Sequence, residues 1–252
     1  MFNYYHAKGI ILAENNSREY DKIFTIYTKE YGKVSVVGRS LRKGSSKLKM
    51  KMSLFSLVDV RFVAGKSFKT LVEAEVVDNF NEARQDLSKL SLFYRMAEIV
   101  LSFTLDEEAD EQVFSLLEES FRKVNVGRFS SDEMKMFFCL FSFRFLYCLG
   151  YKPHVKGCAV CGVKLKGRGF FDAQEGGVVC ESCSTQKDFR VCEGMWQKVI
   201  PIEDVEVVQS FLQQGEGQIL EKDPKMFVDI LEEYLKTIPR KNYFSIDDYK
   251  HK

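Results

Sequence analysis

Residues 158–183 read CAVCGVKLKGRGFFDAQEGGVVCESC and contain two C-x2-C pairs separated by 18 residues. The first pair is Cys158 with Cys161, and the second is Cys180 with Cys183. Each pair is typical of a tight turn that offers two thiolates on one side, and two such turns complete a tetrahedron. Four sulfurs would fill the coordination shell and leave no position for water. The spacing therefore predicts one structural Zn²⁺ ion and no hydrolytic centre.

Other interpretations of these cysteines are four unrelated buried thiols, two disulfides, or a site in which His154 replaces one cysteine. The remaining cysteines, Cys139, Cys148 and Cys192, lie in apolar or helical settings and are interpreted as small buried hydrophobic residues. The chain has seven cysteines and begins without the pattern of a signal peptide, so we expect a reducing cytosol.

The charge is distributed unevenly, although the 252-residue chain has a formal net charge of only +1. Residues 1–80 contain fourteen Lys and Arg against eight Asp and Glu. Within residues 29–51 the only acid is Glu30. The basic residues of that stretch are Lys29, Lys33, Arg39, Arg42, Lys43, Lys47, Lys49 and Lys51. This asymmetry favours a polyanionic partner for the N-terminal part, although a solvated loop is the ordinary outcome for a short basic run.

Five short β-rich segments with alternating apolar residues occupy the first eighty residues. They are Lys8–Ala13, Asp21–Thr28, Lys33–Val37, Phe55–Val63 and Thr70–Val77. Short turns and one longer Ser/Gly/Lys-rich connection at residues 38–52 fit a small OB-like barrel better than an open sheet. A barrel of this kind binds single strands when cations follow the phosphates and aromatic faces stack on bases. Tyr27 and Tyr31 are candidates for stacking, or equally for strand packing.

The apolar period becomes helical from Asn81 onward, and Gly150 followed by Pro153 ends the apolar stretch Met134–Leu149. That stretch is too short to span a bilayer and is interpreted as a buried helix. Two further helices are predicted, one near Glu203–Gln213 and one from Asp223-Pro224 to about Ile238. The predicted fold class is α+β and multidomain, with a barrel at 1–80 and a helical domain at 81–252. A zinc-ribbon insertion at 154–185 completes this scheme.

Catalysis finds little support in the sequence. It has no phosphate loop, no G-x-S-x-G, no H-E-x-x-H and no dinucleotide fingerprint. The acidic run at residues 106–111, DEEADE, is interpreted as a solvated helix start. We therefore expect a protein that is not an enzyme.

The order of parts resembles that of the bacterial RecO family of recombination mediators. The N-terminal stretch KGIILAENNSREYDKIFTIYTKEYGKVSVVGRSLRKGSSK is similar to the family's barrel. The segment FRFLYCLGYKPHVKGCAVCG resembles its helix-to-ribbon junction, and FFDAQEGGVVCESC resembles the segment that ends in the second cysteine pair. The resemblance covers roughly residues 1–185. The C-terminal stretch KTIPRKNYFSIDDYKHK does not clearly show the family's usual ending.

The resemblance implies binding of single- and double-stranded DNA, annealing of complementary strands, and work with RecR to load RecA. It also implies contact with the C-terminal tail of single-strand-binding protein (SSB), and a cytoplasmic, nucleoid-associated location without a membrane partner. On this basis the DNA-binding residues are expected to be the eight basic residues of 29–51. Because some family members lack the four cysteines, zinc is expected to support folding.

Three alternatives remain open from the sequence. A zinc-ribbon accessory factor could bind RNA through the barrel without annealing activity. The protein could be a structural adaptor whose basic loop does not bind nucleic acid. An enzyme with a reactive thiol would need an exposed cysteine of low pKa.

Overall fold

The structure is a computed structural model that describes residues 4–17, 19–41, 51–65, 69–185, 200–202, 208 and 224–239. This part of the chain forms two compact units, which meet in sequence between Arg128 and Phe129. The domain boundaries predicted at residues 80, 154 and 185 stay a prediction. No helix within the described ranges is long and apolar enough to cross a membrane.

The first unit begins with five strands. They are β1 (Tyr4–Asn16), β2 (Lys22–Thr28), β3 (Gly32–Gly38), β4 (Leu57–Ala64) and β5 (Lys69–Asp78). The strands pair in the order β1-β2-β3-β5-β4, and β4 pairs back with β1 to close a barrel. All the pairings are antiparallel except that of β3 with β5, where Val36 lies opposite Lys69. The predicted five-stranded barrel is confirmed.

Alternation along the strands explains the barrel core. In β3, Val34 and Val36 are buried while Ser35 between them is exposed, and in β4 Val60 and Phe62 are buried around exposed Arg61. A strand directs successive side chains to opposite faces, so one face of each strand supplies the interior. The central cluster of this interior contains Ala7, Ile11, Phe24, Ile26, Val34, Val36, Leu41, Met52, Val58, Val60, Phe62, Leu71 and Ala74.

Three helices follow the barrel in the first unit. They are α1 (Asn81–Arg84), α2 (Leu87–Phe103) and α3 (Glu111–Val126). The side chains of Asp86 and Asp110 accept backbone hydrogen bonds at the starts of α2 and α3, as N-cap residues do. These caps fix where each helix leaves the preceding loop.

An aromatic cluster joins the helices to the loop that precedes β4. The rings of Phe93 and Phe121 stack with centroids 4.0 Å apart, so α2 and α3 meet at these two side chains. Phe55 contacts both rings edge-on, with centroids 5.7 and 6.0 Å away. All three phenylalanines are buried, and such contacts add about 0.5–1.5 kcal/mol per pair beyond the area they bury.

The second unit begins with α4 (Ser131–Cys148), whose start is a capping box between Ser130 and Glu133. The helix ends at Cys148, just before Gly150, the residue predicted to stop it, which has a left-handed φ of 86°. A small sheet follows, with strands β6 (Gly169–Asp172), β7 (Gly177–Val179) and β8 (Ile200–Ile202) in the order β7-β6-β8.

The remaining helices are α5 (Glu181–Thr185) and α6 (Pro224–Thr237). The latter confirms the helix predicted from Pro224, while the helix predicted near Glu203–Gln213 lies almost wholly outside the described residues. Tyr234 of α6 packs edge-on against Phe171 of β6, with centroids 5.9 Å apart. This contact fixes the sheet against the helical part of the same unit.

Candidate metal centre and nucleic-acid surface

The two C-x2-C pairs converge in the folded chain. The sulfur atoms of Cys158, Cys161, Cys180 and Cys183 all lie within 4.8 Å of one another. Those of Cys161 and Cys180 are 3.8 Å apart, and all four cysteines are free thiols. A tetrahedron with Zn–S bonds of about 2.3 Å has sulfurs roughly 3.8 Å apart, whereas a disulfide needs about 2.05 Å. The four cysteines are therefore positioned to bind a metal ion, and His154 is not part of the cluster.

Main-chain hydrogen bonds hold the first pair in place. The amide of Cys158 donates to the carbonyl of Val163 over 2.8 Å, and the amide of Gly162 donates to the carbonyl of Cys158 over 2.9 Å. Gly162 has a φ of 73°, a conformation that favours glycine. The turn 158–163 is thus closed by its own backbone, independently of a metal.

The second pair is brought close by the β6–β7 hairpin. Phe170 pairs with Val179, so Cys180 emerges at the end of a strand that is fixed to β6. The amide of Ala159 donates to the carbonyl of Val178 over 2.8 Å, which joins the first turn to this hairpin. The amide of Cys180 points at the Cys158 sulfur over 3.4 Å. Hydrogen bonds therefore link the two cysteine turns directly, in addition to the proximity of their sulfurs.

The surroundings of the cluster favour a thiolate at Cys158. Burial raises the pKa of this thiol, but hydrogen bonds from the backbone amides of Cys161, Cys180 and Val160 outweigh it and lower the pKa to about 6. A hydrogen bond with Cys180 raises the pKa of Cys183 to about 12. A cation that binds the cluster supplies the charge that lets all four sulfurs ionise together.

The eight basic residues predicted to contact DNA lie in different environments. Arg42, Lys43, Lys47 and Lys49 lie outside the described residues. Arg39 and Lys51, at the two ends of that stretch, are exposed. Lys29 is half exposed, and its ammonium lies 2.8 Å from the carboxylate of Glu111. That contact raises the pKa of Lys29 and lowers the pKa of Glu111, in each case through the hydrogen bond and then the opposite charge.

Lys33 is a structural residue, because its side chain is buried. Its ammonium donates to the main-chain carbonyls of Leu101 and Thr104 over 3.0 and 2.7 Å and lies 3.3 Å from Asp106. Burial lowers the pKa of Lys33, and the ion pair with Asp106 opposes this shift. The prediction that Lys33 contacts DNA is incompatible with this placement, since its side chain is 3% exposed and its ammonium is already bound to two carbonyls.

The acidic run 106–111 is largely exposed and leads into α3, in line with its interpretation as a solvated helix start, but its carboxylates also form ion pairs with the barrel. Besides Asp106 with Lys33 and Glu111 with Lys29, Glu107 of this run pairs with Lys69 of β5. Further along α3, Glu118 accepts from Lys8 of β1 over 2.9 Å. Partial burial opposes ionisation of Glu118, but hydrogen bonds from Lys8 and Arg122 hold its pKa below the usual value.

These ion pairs join residues 38 to 110 positions apart, and sequence periodicity carries no signal for them. They neutralise part of the barrel's basic surface within the chain itself.

The stacking proposed for Tyr27 and Tyr31 has no support in their placement. Tyr27 is buried. The ring of Tyr31 packs edge-on against Tyr5 and Phe62 at 5.5 and 6.0 Å, which is strand packing at the edge of the barrel core.

Two family models match the chain, and together they cover most of it. Residues 1–80 match the model described as Recombination protein O N terminal, and residues 84–192 match Recombination protein O C terminal. This chain belongs to the RecO family. Both the barrel and the four-cysteine cluster lie inside the matched ranges.

Curated relatives agree with this assignment. The chain is 29% identical over 183 residues to a protein of Desulfitobacterium hafniense named DNA repair protein RecO, covering 72% of this chain and 65% of the relative. It is 27% identical over 185 residues to a Listeria monocytogenes protein of the same name, covering 73% and 71% of the two chains. A Desulforamulus reducens protein, again of that name, is 27% identical over 184 residues, covering 73% and 70%.

Replacing Cys158 with Ser tests the metal centre. We expect loss of bound metal and a lower Tm, because removing one of four ligands uncouples metal binding from folding. The control is Cys148→Ser, the same chemical change at a half-buried cysteine outside the cluster. Metal content by atomic absorption and thermal unfolding are the measurements. A stable Cys158→Ser protein with full metal content would contradict the assignment.

Replacing Lys33 with Met tests its structural role. The substitution removes the donor to the Leu101 and Thr104 carbonyls, so we expect a loss of about 1–3 kcal/mol in the free energy of unfolding, measured in urea. Lys51→Met, at an exposed position, is the control and is expected to change stability by less than about 0.5 kcal/mol. Equal stability of the two variants would show that the buried contacts contribute nothing net.

Proposed function

We propose that this chain is a DNA repair and recombination mediator that binds single- and double-stranded DNA and anneals complementary strands. Its partners are RecR and the C-terminal tail of SSB, and together they help load RecA on SSB-coated DNA. The observation that carries the proposal is the match of both family models to a chain with a closed barrel and a clustered four-cysteine site. The resident ion of that site is proposed to be one structural Zn²⁺.

The proposed DNA surface is the barrel side that carries the connection between β3 and β4. Arg39 and Lys51 lie within this connection and are exposed, and neither has an ion-pair partner among the described residues. Arg42, Lys43, Lys47 and Lys49 complete the set by sequence. Lys29 belongs to this set through its half-exposed ammonium, although Glu111 competes for it.

Annealing on such a surface needs no covalent step. Two polyanions must come close enough for base pairs to nucleate, and lysines and arginines lower their repulsion by neutralising phosphates and releasing counterions. Lysine suits this task because its ammonium binds a phosphate without fixing a sequence. The proposed activity is therefore non-enzymatic, and the bound zinc supports folding.

The direct test is annealing of complementary oligonucleotides coated with SSB, across a salt series and with metal-loaded protein. Acceleration that fades as salt rises supports both the mediator function and its electrostatic origin. A folded protein that accelerates nothing would overturn the annealing activity. Competition between DNA and RNA in the same assay decides whether the barrel serves an RNA-binding factor instead.

Charge reversal at Arg39, Arg42 and Lys43 to Glu tests the barrel surface. Three lost phosphate contacts are expected to weaken binding to single-stranded DNA and to make the plot of log K against log salt shallower by about 2. Reversal of Lys135, Lys225 and Lys236, which are exposed on helices of the second unit, is the control with the same charge change. Fluorescence anisotropy gives both slopes, and unchanged binding by the barrel variant would refute this surface.

A further inference from the structure

The basic residues of the barrel are largely engaged inside the chain. Their partners are acids of the same unit, at ammonium- or guanidinium-to-carboxylate distances of at most 3.3 Å. The pairs are Lys8–Glu118, Lys22–Glu14, Lys29–Glu111, Lys33–Asp106, Arg61–Glu73 and Lys69–Glu107. A phosphate that binds one of these cations competes with a carboxylate already in place.

The basic residues of the four-cysteine ribbon, unlike those of the barrel, have few acids near them in the sequence. From residue 134 to residue 171 the chain contains no Asp or Glu. Five basic residues of the ribbon and its approach are exposed: Lys152, Lys156, Lys164, Lys166 and Arg168. None of them forms an ion pair with any residue that the structure describes. We call these five residues the ribbon basic surface.

The fold brings the two ends of the first cysteine turn together. The amide of Cys158 bonds to the carbonyl of Val163, and a Cβ on Gly157 would lie 2.9 Å from that carbonyl. Lys156 and Lys164 are the next residues outward on the two sides of this contact. Each lysine is therefore bonded directly to one of the two residues, Gly157 and Val163, that approach each other at this contact.

The other members follow closely along the chain. Lys164, Lys166 and Arg168 lie within five consecutive residues, which span at most about 14 Å between the first and last Cα. Lys152 lies over the exposed ring of Tyr147, 4.5 Å from its centroid. Lys164, Lys166 and Arg168 are two residues apart, so along an extended chain they are spaced about 7 Å apart, roughly twice the 3.4 Å between phosphates along one strand of a duplex.

We propose that the ribbon basic surface is a second phosphate-binding surface for nucleic acid, in addition to the one on the barrel. The inference rests on the proposed DNA-binding function and deepens it, since it gives the four-cysteine ribbon a contact role beyond folding. Two surfaces, one in each unit, give a mediator the means to hold two strands at once.

The chemistry of the surface favours a nucleic acid over a protein partner. Lysine is depleted at the centres of protein interfaces, where aromatic residues and arginine supply most of the energy. Four of the five cations here are lysines, and the neighbouring aromatic residue, Tyr147, already contacts Lys152. Exposed lysines on a glycine-containing turn suit phosphate contacts that do not depend on base sequence.

The test is a quadruple variant, Lys156→Gln, Lys164→Gln, Lys166→Gln and Arg168→Gln. We expect weaker binding to single-stranded DNA and a plot of log K against log salt that is shallower by up to about 3, as for four lost phosphate contacts. Lys123, Lys135, Lys225 and Lys236 changed to Gln form the control, because they are exposed on α3, α4 and α6 and remove the same charge. The control is expected to keep the wild-type slope.

Two further controls accompany this test, a charge-conserving variant and a check of folding. Lys156→Arg, Lys164→Arg and Lys166→Arg together keep the charge and are expected to bind as the wild type does. Metal content and circular dichroism confirm that each variant retains the four-cysteine site. The substituted positions are exposed, so we expect both to be unchanged.

The outcomes separate the inference from the proposed function. Wild-type protein that binds DNA, with the quadruple variant at the same slope, overturns the ribbon surface and leaves the barrel proposal standing. Wild-type protein that binds no DNA overturns both. A quadruple variant that loses binding to labelled polyglutamate while keeping the wild-type DNA slope overturns the inference in favour of an acidic protein partner.

Discussion

The buried ammonium of Lys33 ties the barrel to the helices of the first unit. It satisfies the carbonyls of Leu101 and Thr104, at the end of α2, where a helix leaves its last carbonyls without partners. A cation at this place is also favoured by the helix dipole. The neighbouring Gly32 has a φ of 63°, and a Cβ there would lie 1.9 Å from the carbonyl oxygen of Glu108. The chain after α2 therefore packs directly on β3, and this close approach brings the acidic run 106–111 to the barrel's lysines.

In the four-cysteine ribbon, main-chain hydrogen bonds set the geometry. This geometry places four sulfurs that can carry negative charge close together. The turn 158–163 and the β6–β7 hairpin are both closed by main-chain bonds. Thiolates at these positions repel one another unless a cation is present. Hydrogen bonds within the cluster lower the pKa of Cys158 and raise the pKa of Cys183, so the local geometry favours the thiolate at one sulfur and the thiol at another.

The sequence predicted those features of the fold that depend on local pattern. Cysteine spacing identified the metal cluster, strand alternation identified five strands, and Gly150 marked the end of α4. The sequence did not reveal that Lys33 is buried. Alternation in β3 directs this residue away from the barrel core, but it cannot show that the connection after α2 covers it. The ion pairs of residues 106–118 were missed for the same reason, since long-range contacts leave no local period. The acid-free run 134–171 was a readable signal for the ribbon basic surface.

The state of each cation before binding affects how it contributes to DNA affinity. A barrel lysine that is paired with a carboxylate exchanges one anion for another, so its contact with a phosphate releases little condensed counterion and gains little free energy. An unpaired lysine of the proposed ribbon surface gains the whole contact and adds about 0.7 to the salt slope for single-stranded DNA. The net charge of +1 is therefore a poor guide to DNA binding by this chain. The acids that pair with the barrel's cations are missing from residues 134–171, so a phosphate at the proposed ribbon surface meets no carboxylate from that stretch.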